Sequence, residues 1–169
     1  MRLTSILLLG LVTAIAHAAD LKPGRASGTY TYDGRTVAIE FASTYVDHAD
    51  DRTTLVLILS NKGISTDGWS DGADFMKYRM RNPFLGVAFW LDADRNIVRT
   101  AHFDADGLPY GEETDLFEVK LQDDKAFLKG IAVSTDKAGK LGKPVVLDAE
   151  FSAAADPTTN PDSPRGRDE

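Results

Sequence analysis

Polar and apolar residues alternate in short runs along most of this chain, the period of half-buried β-strands. The most apolar run is FLGVAFWL, residues 84–91. A polar turn from Asp92 to Asn96 separates it from a mixed run ending at Phe103. The two runs predict a β-hairpin beside which the other strands are laid. Trp90 faces opposite to Phe89 and Leu91. If those two enter the core, Trp90 lies under a helix or on a binding surface.

The remaining runs follow the same logic. Residues 19–26 are polar, contain Pro23 and Gly24, and read as a lead-in. Gly28 to Val46 holds two alternating runs around Asp33-Gly34, a pair that favours a type I′ turn because both residues tolerate positive φ. Tyr30 and Tyr32 share one face of the first run. Val37, Ile39, Phe41 and Tyr45 share one face of the second. Residues 53–60 are almost wholly apolar, with Leu55, Leu57 and Leu59 opposed to Val56 and Ile58, as in a strand buried on both sides. Residues 61–72 and 104–113 are long turn-rich loops. Further strands are expected at 114–121, 126–135 and 143–153, the second interrupted by Gly130 at a bulge or close packing point.

One segment departs from strand character. Residues 73–81 follow Asp71, carry Asp74 early and Lys77, Arg79 and Arg81 late, and precede Pro83. That order suits a helix dipole and a helix stop, so a short helix is predicted. Eight strands and one helix make an all-β fold: an antiparallel sandwich or a lipocalin-like barrel. The helix and the 61–72 loop are expected to cover the outer face of the two-sided strands.

The first 18 residues read as a signal peptide: Arg2, an apolar run from Ser5 to Ala16, and small residues at Ala16 and Ala18. A single β domain then occupies 19–153. The tail from 154 to 169 lacks large apolar residues and is expected to be disordered. No cysteine is present, which removes disulfides, thiolate nucleophiles, Cys-ligated zinc and a lipidated anchor. No Asn-x-Ser/Thr sequon occurs. The expected location is therefore periplasmic or secreted, from a bacterial cell, with no membrane insertion after signal cleavage. Without the leader, 18 basic residues face 26 acidic ones, a net charge of −8. That balance disfavours nucleic acid and anionic lipid as partners; it is compatible with a basic protein partner, but solubility alone explains it better.

Candidate chemistry is sparse. Gly68-Trp69-Ser70-Asp71-Gly72 matches G-x-S-x-G, with His102 as the base and Asp92 or Asp94 as the acid. The strand–turn–helix context is missing, because the preceding strand ends near Ser60. Asp92, Asp94 and Asn96 resemble the start of an EF-hand loop, but Ile97 and Phe103 replace its glycine and glutamate. These aspartates are better explained as turn residues that bond nearby backbone. His48, among Asp47, Asp50 and Asp51, belongs to a solvated acidic loop. His102 is expected on a strand face with Val98 and Thr100. No metal or cofactor is expected. Trp69, Trp90, Tyr78 and His102 are the binding candidates, in the loop carrying Trp69 or on the face carrying Trp90 and His102. Tyr30, Tyr32 and Phe75 complete the aromatic set.

The opening GTYTYDGRTVAIEFASTYV, the LVLILSNK strand end, the FWLDADRNIV hairpin and the closing VVLDAEFSA resemble an uncharacterised type of small exported bacterial β-rich protein. The resemblance spans about residues 26–153 and implies no activity and no site residues. The sequence thus points to an exported, non-catalytic binding protein that recognises or inhibits another protein. The alternative is a lipocalin-like carrier of a small apolar ligand, with a Ser70 hydrolase behind both.

Overall fold

The computed structural model describes residues 21–49, 52–104, 114–122, 127–138 and 143–155. The signal peptide, the tail beyond residue 155 and the 105–113 part of the second long loop lie outside the described residues. In chain order the elements are β1 (Arg25–Tyr32), β2 (Arg35–Asp47), β3 (Thr54–Ser60), α1 (Gly72–Arg81), β4 (Gly86–Leu91), β5 (Ile97–Phe103), β6 (Phe117–Gln122), β7 (Phe127–Ser134) and β8 (Val145–Ala154). Among these residues, no helix is long and apolar enough to cross a membrane.

All strands join one antiparallel sheet in the order β5-β4-β3-β2-β1-β8-β7-β6. Neighbours in the sheet are neighbours in sequence, except where β1 pairs with β8. The sheet curls so that its edges approach each other. Phe89 of β4 meets Phe117 of β6 edge-on at 5.6 Å, and Tyr32 of β1 meets His102 of β5 at 5.4 Å. The result is a nearly closed barrel, not a sandwich. One continuous sheet suffices because β1 and β8 hydrogen-bond over their whole length, leaving no second sheet to pack against the first.

Side-chain alternation divides the core in two. Leu55, Leu57 and Leu59 of β3 and Val87, Phe89 and Leu91 of β4 fill the interior with Tyr30, Ile39, Leu147 and Phe151. Val56, Ile58, Ala88 and Trp90 point the other way, into an outer layer under α1 and the 61–72 loop. The two-sided burial read from the sequence is thus real, and Trp90 lies under the helix.

Two register faults redirect residues. The β1–β2 pairing shifts by one between Arg25↔Phe41 and Gly28↔Ile39. Val37 and Ile39 pack inward before the fault, whereas Ala42 and Val46 do so after it. Phe41 and Tyr45 therefore do not share the face of Val37 and Ile39, as uninterrupted alternation predicts. Tyr45 instead joins the outer layer. A second shift, between Trp90 and Leu91, leaves Val98 unmatched and 44% exposed. Ile97 packs inward and Arg99 outward over the Trp90 ring. Thr100 and His102 are buried without Val98 beside them. The lead-in is also shorter than expected: Arg25 and Ala26 already belong to β1, and the Gly24 N–H donates to the Ser152 carbonyl at 2.8 Å.

Turn chemistry matches the sequence. Asp33 and Gly34 have φ of 50° and 77°, as a type I′ turn requires. The Asp92 carboxylate accepts the Asn96 N–H at 2.8 Å and closes the β4–β5 turn. At Gly130 of β7, an added Cβ would lie 2.1 Å from the Lys120 carbonyl oxygen of β6. Gly130→Ala must push the two strands apart. It is expected to lower unfolding stability by about 2–3 kcal/mol in urea titration.

Candidate functional site

The outer layer is built on Phe75. Asp71 caps α1, accepting from the Ala73 and Asp74 N–H groups at 2.8 and 3.0 Å. Asn82 ends the helix, its N–H donating to the Tyr78 carbonyl at 2.9 Å. Between these caps, Phe75 is buried and touches five other rings: Tyr45, Trp69, Phe84, Trp90 and Phe103, at centroid distances of 5.3 to 6.2 Å. Burying one such ring stabilises the fold by about 2–3 kcal/mol.

Trp90 is fixed by a second constraint. Its indole N–H donates to Asp47 Oδ2 at 2.8 Å, and Asp47 Oδ1 accepts the Ala49 N–H at 3.1 Å. A methyl group at Gly72 would lie 3.6 Å from Asp47 Oδ2, so this buried carboxylate sits beside the positive end of α1. The Arg99 guanidinium covers the Trp90 ring at 4.7 Å. Tyr45 stands in the same layer. Its hydroxyl is buried with no hydrogen-bond partner among the described residues. Burial, followed by the charge of Asp47, raises its pKa well above the usual tyrosine range.

Arg79 pins the far end of the helix. It is buried, donates from Nη2 to the Asp104 carbonyl at 2.8 Å, and stacks on Phe103 at 4.7 Å and Phe84 at 5.5 Å. Burial lowers its pKa, and Asp104 acts against that shift.

The four binding candidates separate into two places. Trp69 and Tyr78 are both half-buried and pack together at 5.2 Å, and Trp69 also contacts Tyr45 at 5.4 Å. Trp90 lies beneath them in the same layer. His102 is on the opposite side of the sheet, against Tyr32 in the barrel interior, and is only 4% exposed. Trp90 and His102 thus do not share a face. The register fault at Trp90 sets Arg99, not His102, beside the indole.

Ser70 and His102 are not brought together either. Ser70 is exposed at the start of α1, where its N–H and hydroxyl face Asp74 Oδ2 at 3.2 and 3.4 Å. Chiefly through the Ser70 backbone N–H, these contacts hold the Asp74 carboxyl below its ordinary value. His48 is exposed, with Nδ1 3.3 Å from Thr53 Oγ1, and Asp50 and Asp51 lie outside the described residues. No group of three His, Asp or Glu residues is placed to hold a metal among the described residues.

The sequence did not single out Asp47 or Arg79. Asp47 follows Tyr45 by two positions, so extending the strand alternation past Val46 would have placed it beside Tyr45. Nothing in the helix pattern marks Arg79 as buried. Two surface clefts lie among the described residues. One of about 240 Å³ lies where β1 begins, and a wider one of about 470 Å³ lies between β6 and β7, lined by Asp115, Glu118, Asp136 and Lys137. Neither is lined by the large interior residues Leu57, Phe89 or Phe151. No protein-family model, curated protein or solved structure matches the chain.

Trp90→Phe removes the indole donor and leaves Asp47 Oδ2 short of a partner in a buried position. A loss of about 1–3 kcal/mol is expected by denaturant titration, with less than additive loss in the Trp90→Phe/Asp47→Ala double variant. His102 generates a pH dependence. Burial lowers its pKa from 6.5 to about 4, with Asp104 opposing the shift. Between those values the unfolded chain binds the extra proton, so stability falls as pH drops through this window and is constant above it. The expected loss from this group is about 2–3 kcal/mol between neutral pH and pH 4. It is measured as the difference between wild type and His102→Gln across that range.

Proposed function

We propose that this protein is an exported, non-catalytic binding protein that recognises another protein through the surface formed by Trp69 and Tyr78. The observation that carries this proposal is the state of those two rings. Each is half-buried, they pack against one another at a tilt of 55°, and Tyr45 and Phe75 hold the Trp69 ring from behind. Aromatic side chains fixed in this way present large contact area with little conformational entropy left to lose on binding. The whole chain is acidic, with 26 acidic against 19 basic residues. That balance favours a partner with a basic surface.

A carrier of a small apolar ligand is the alternative. The packing inside the barrel weighs against it. Tyr30, Ile39, Leu57, Phe89 and Phe151 are all but completely buried there, and ring contacts cross the interior from β4 to β6 and from β1 to β5.

The test is affinity capture from a bacterial periplasmic extract, comparing wild type with Trp69→Ala. The expected outcome is one enriched basic protein. Its recovery falls at least about tenfold in the variant, as for a central aromatic contact, and falls again at high salt. Equal recovery by wild type and variant, or no enriched protein, overturns the proposal.

A further inference from the structure

The cleft where β1 begins lies apart from the Trp69 surface and has its own chemistry. Its floor and walls come from Pro23, Arg25, Phe41, Ser43, Ile64 and Thr66, with Thr44 and Ala154 at one end. The first β1–β2 register position, Arg25↔Phe41, sets a cation and a ring side by side. The Arg25 guanidinium carbon lies 4.9 Å from the Phe41 ring centroid. Arg25 is exposed and has no acidic partner among the described residues. The Arg25 guanidinium lies over the Phe41 ring, and that contact holds the planar fork in place.

The hydroxyls in the cleft are committed in one direction. Ser43 donates to the Ile64 carbonyl at 2.9 Å, Thr44 to the Ala154 carbonyl at 2.8 Å and Thr66 to the Thr44 carbonyl at 2.7 Å. The Gly24 and Ala42 N–H groups are also used, on the Ser152 and Gly24 carbonyls. What these hydroxyls still offer is acceptor lone pairs. Thr44 is buried and faces the other side of β2, so the cleft presents one cationic fork, two acceptor oxygens, those of Ser43 and Thr66, and two apolar surfaces, Phe41 and Ile64. Its volume of about 240 Å³ corresponds to about eight water-sized groups at about 30 Å³ each.

We infer that this cleft binds a small amino- or hydroxycarboxylic acid. Its carboxylate pairs with Arg25. Its ammonium or hydroxyl group donates to the Ser43 and Thr66 oxygens, and its short apolar group rests on Phe41 and Ile64. A single guanidinium fits one carboxylate in bidentate fashion. A phosphate dianion would meet the hydroxyl lone pairs with no further donors to stabilise it.

The test is titration with L-leucine and L-leucinamide, followed by amide NMR shifts of Gly24, Arg25, Gly63 and Ile64. Leucine is expected to shift these resonances saturably, with a dissociation constant at or below about 10 mM. The amide is expected to bind at least about tenfold more weakly, although the acidic protein attracts its net positive charge non-specifically. Arg25→Gln should abolish leucine binding and Arg25→Lys should weaken it. Both variants keep the fold, because Arg25 is exposed and pairs in the sheet through its backbone. Equal affinity for leucine and leucinamide, unchanged binding in Arg25→Gln, or no saturable shift at these amides overturns the inference.

Discussion

The outer face of β3 and β4 cannot be left in water. Val56, Ile58, Ala88 and Trp90 point away from the barrel, and the strands they sit on also carry the interior leucines and Phe89. An antiparallel sheet normally presents a polar outer face, and here that face is apolar over its centre. Covering it requires a third layer, and α1 with the 61–72 loop is that layer. The rest of the outer structure follows from sealing the cover. Phe75 fills the middle, Arg79 ties the helix to the end of β5, and the Asp47–Trp90 bond gives the one indole N–H beneath it a partner. Trp69 and Tyr78 are the rim of this cover, and their half-exposure results from its limited size.

Much of this was legible in the sequence, because it depends on period and on caps. The eight strands, the helix from 73 to 81, the Asp33-Gly34 turn and the two-sided character of 53–60 and 84–91 are properties of neighbouring residues. Alternation alone set Trp90 apart from the interior, under a helix or on a binding surface, and it lies under the helix. Of the bulge or close packing point expected at Gly130 it is the second that is found, a strand carbonyl standing where its side chain would be.

What was not legible depends on pairing between strands. A register fault is a property of how two strands pair, and a reading that assumes uninterrupted alternation along one strand passes over it. Tyr45 and His102 therefore exchange sides relative to their expected neighbours, and the site proposed around Trp90 and His102 divides into an outer and an inner part. Sandwich and barrel were equally compatible with eight short strands. The choice rests on whether β1 finds β8, a contact between residues more than a hundred positions apart that no local pattern encodes. The cleft at Arg25 was missed for a similar reason. Its lining is gathered from the start of β1, the middle of β2, the 61–66 loop and the end of β8.

The strand order also bears on how the chain is assembled. β1 to β5 form one meander of successive hairpins and β6 to β8 form another. Each is local in sequence, the longest connection within either being the 61–85 stretch that carries α1. The two are joined along a single long-range ladder, from Arg25↔Ser152 to Tyr32↔Val145, that must wait for both halves. That ladder brings the two ends of the domain together, while the open edges of the sheet belong to strands consecutive in sequence. A chain with its ends linked beside β1 and β8 and reopened between β5 and β6 would run through the sheet in spatial order from one edge to the other. Its barrel would be the same, and no pairing in it would be distant in sequence.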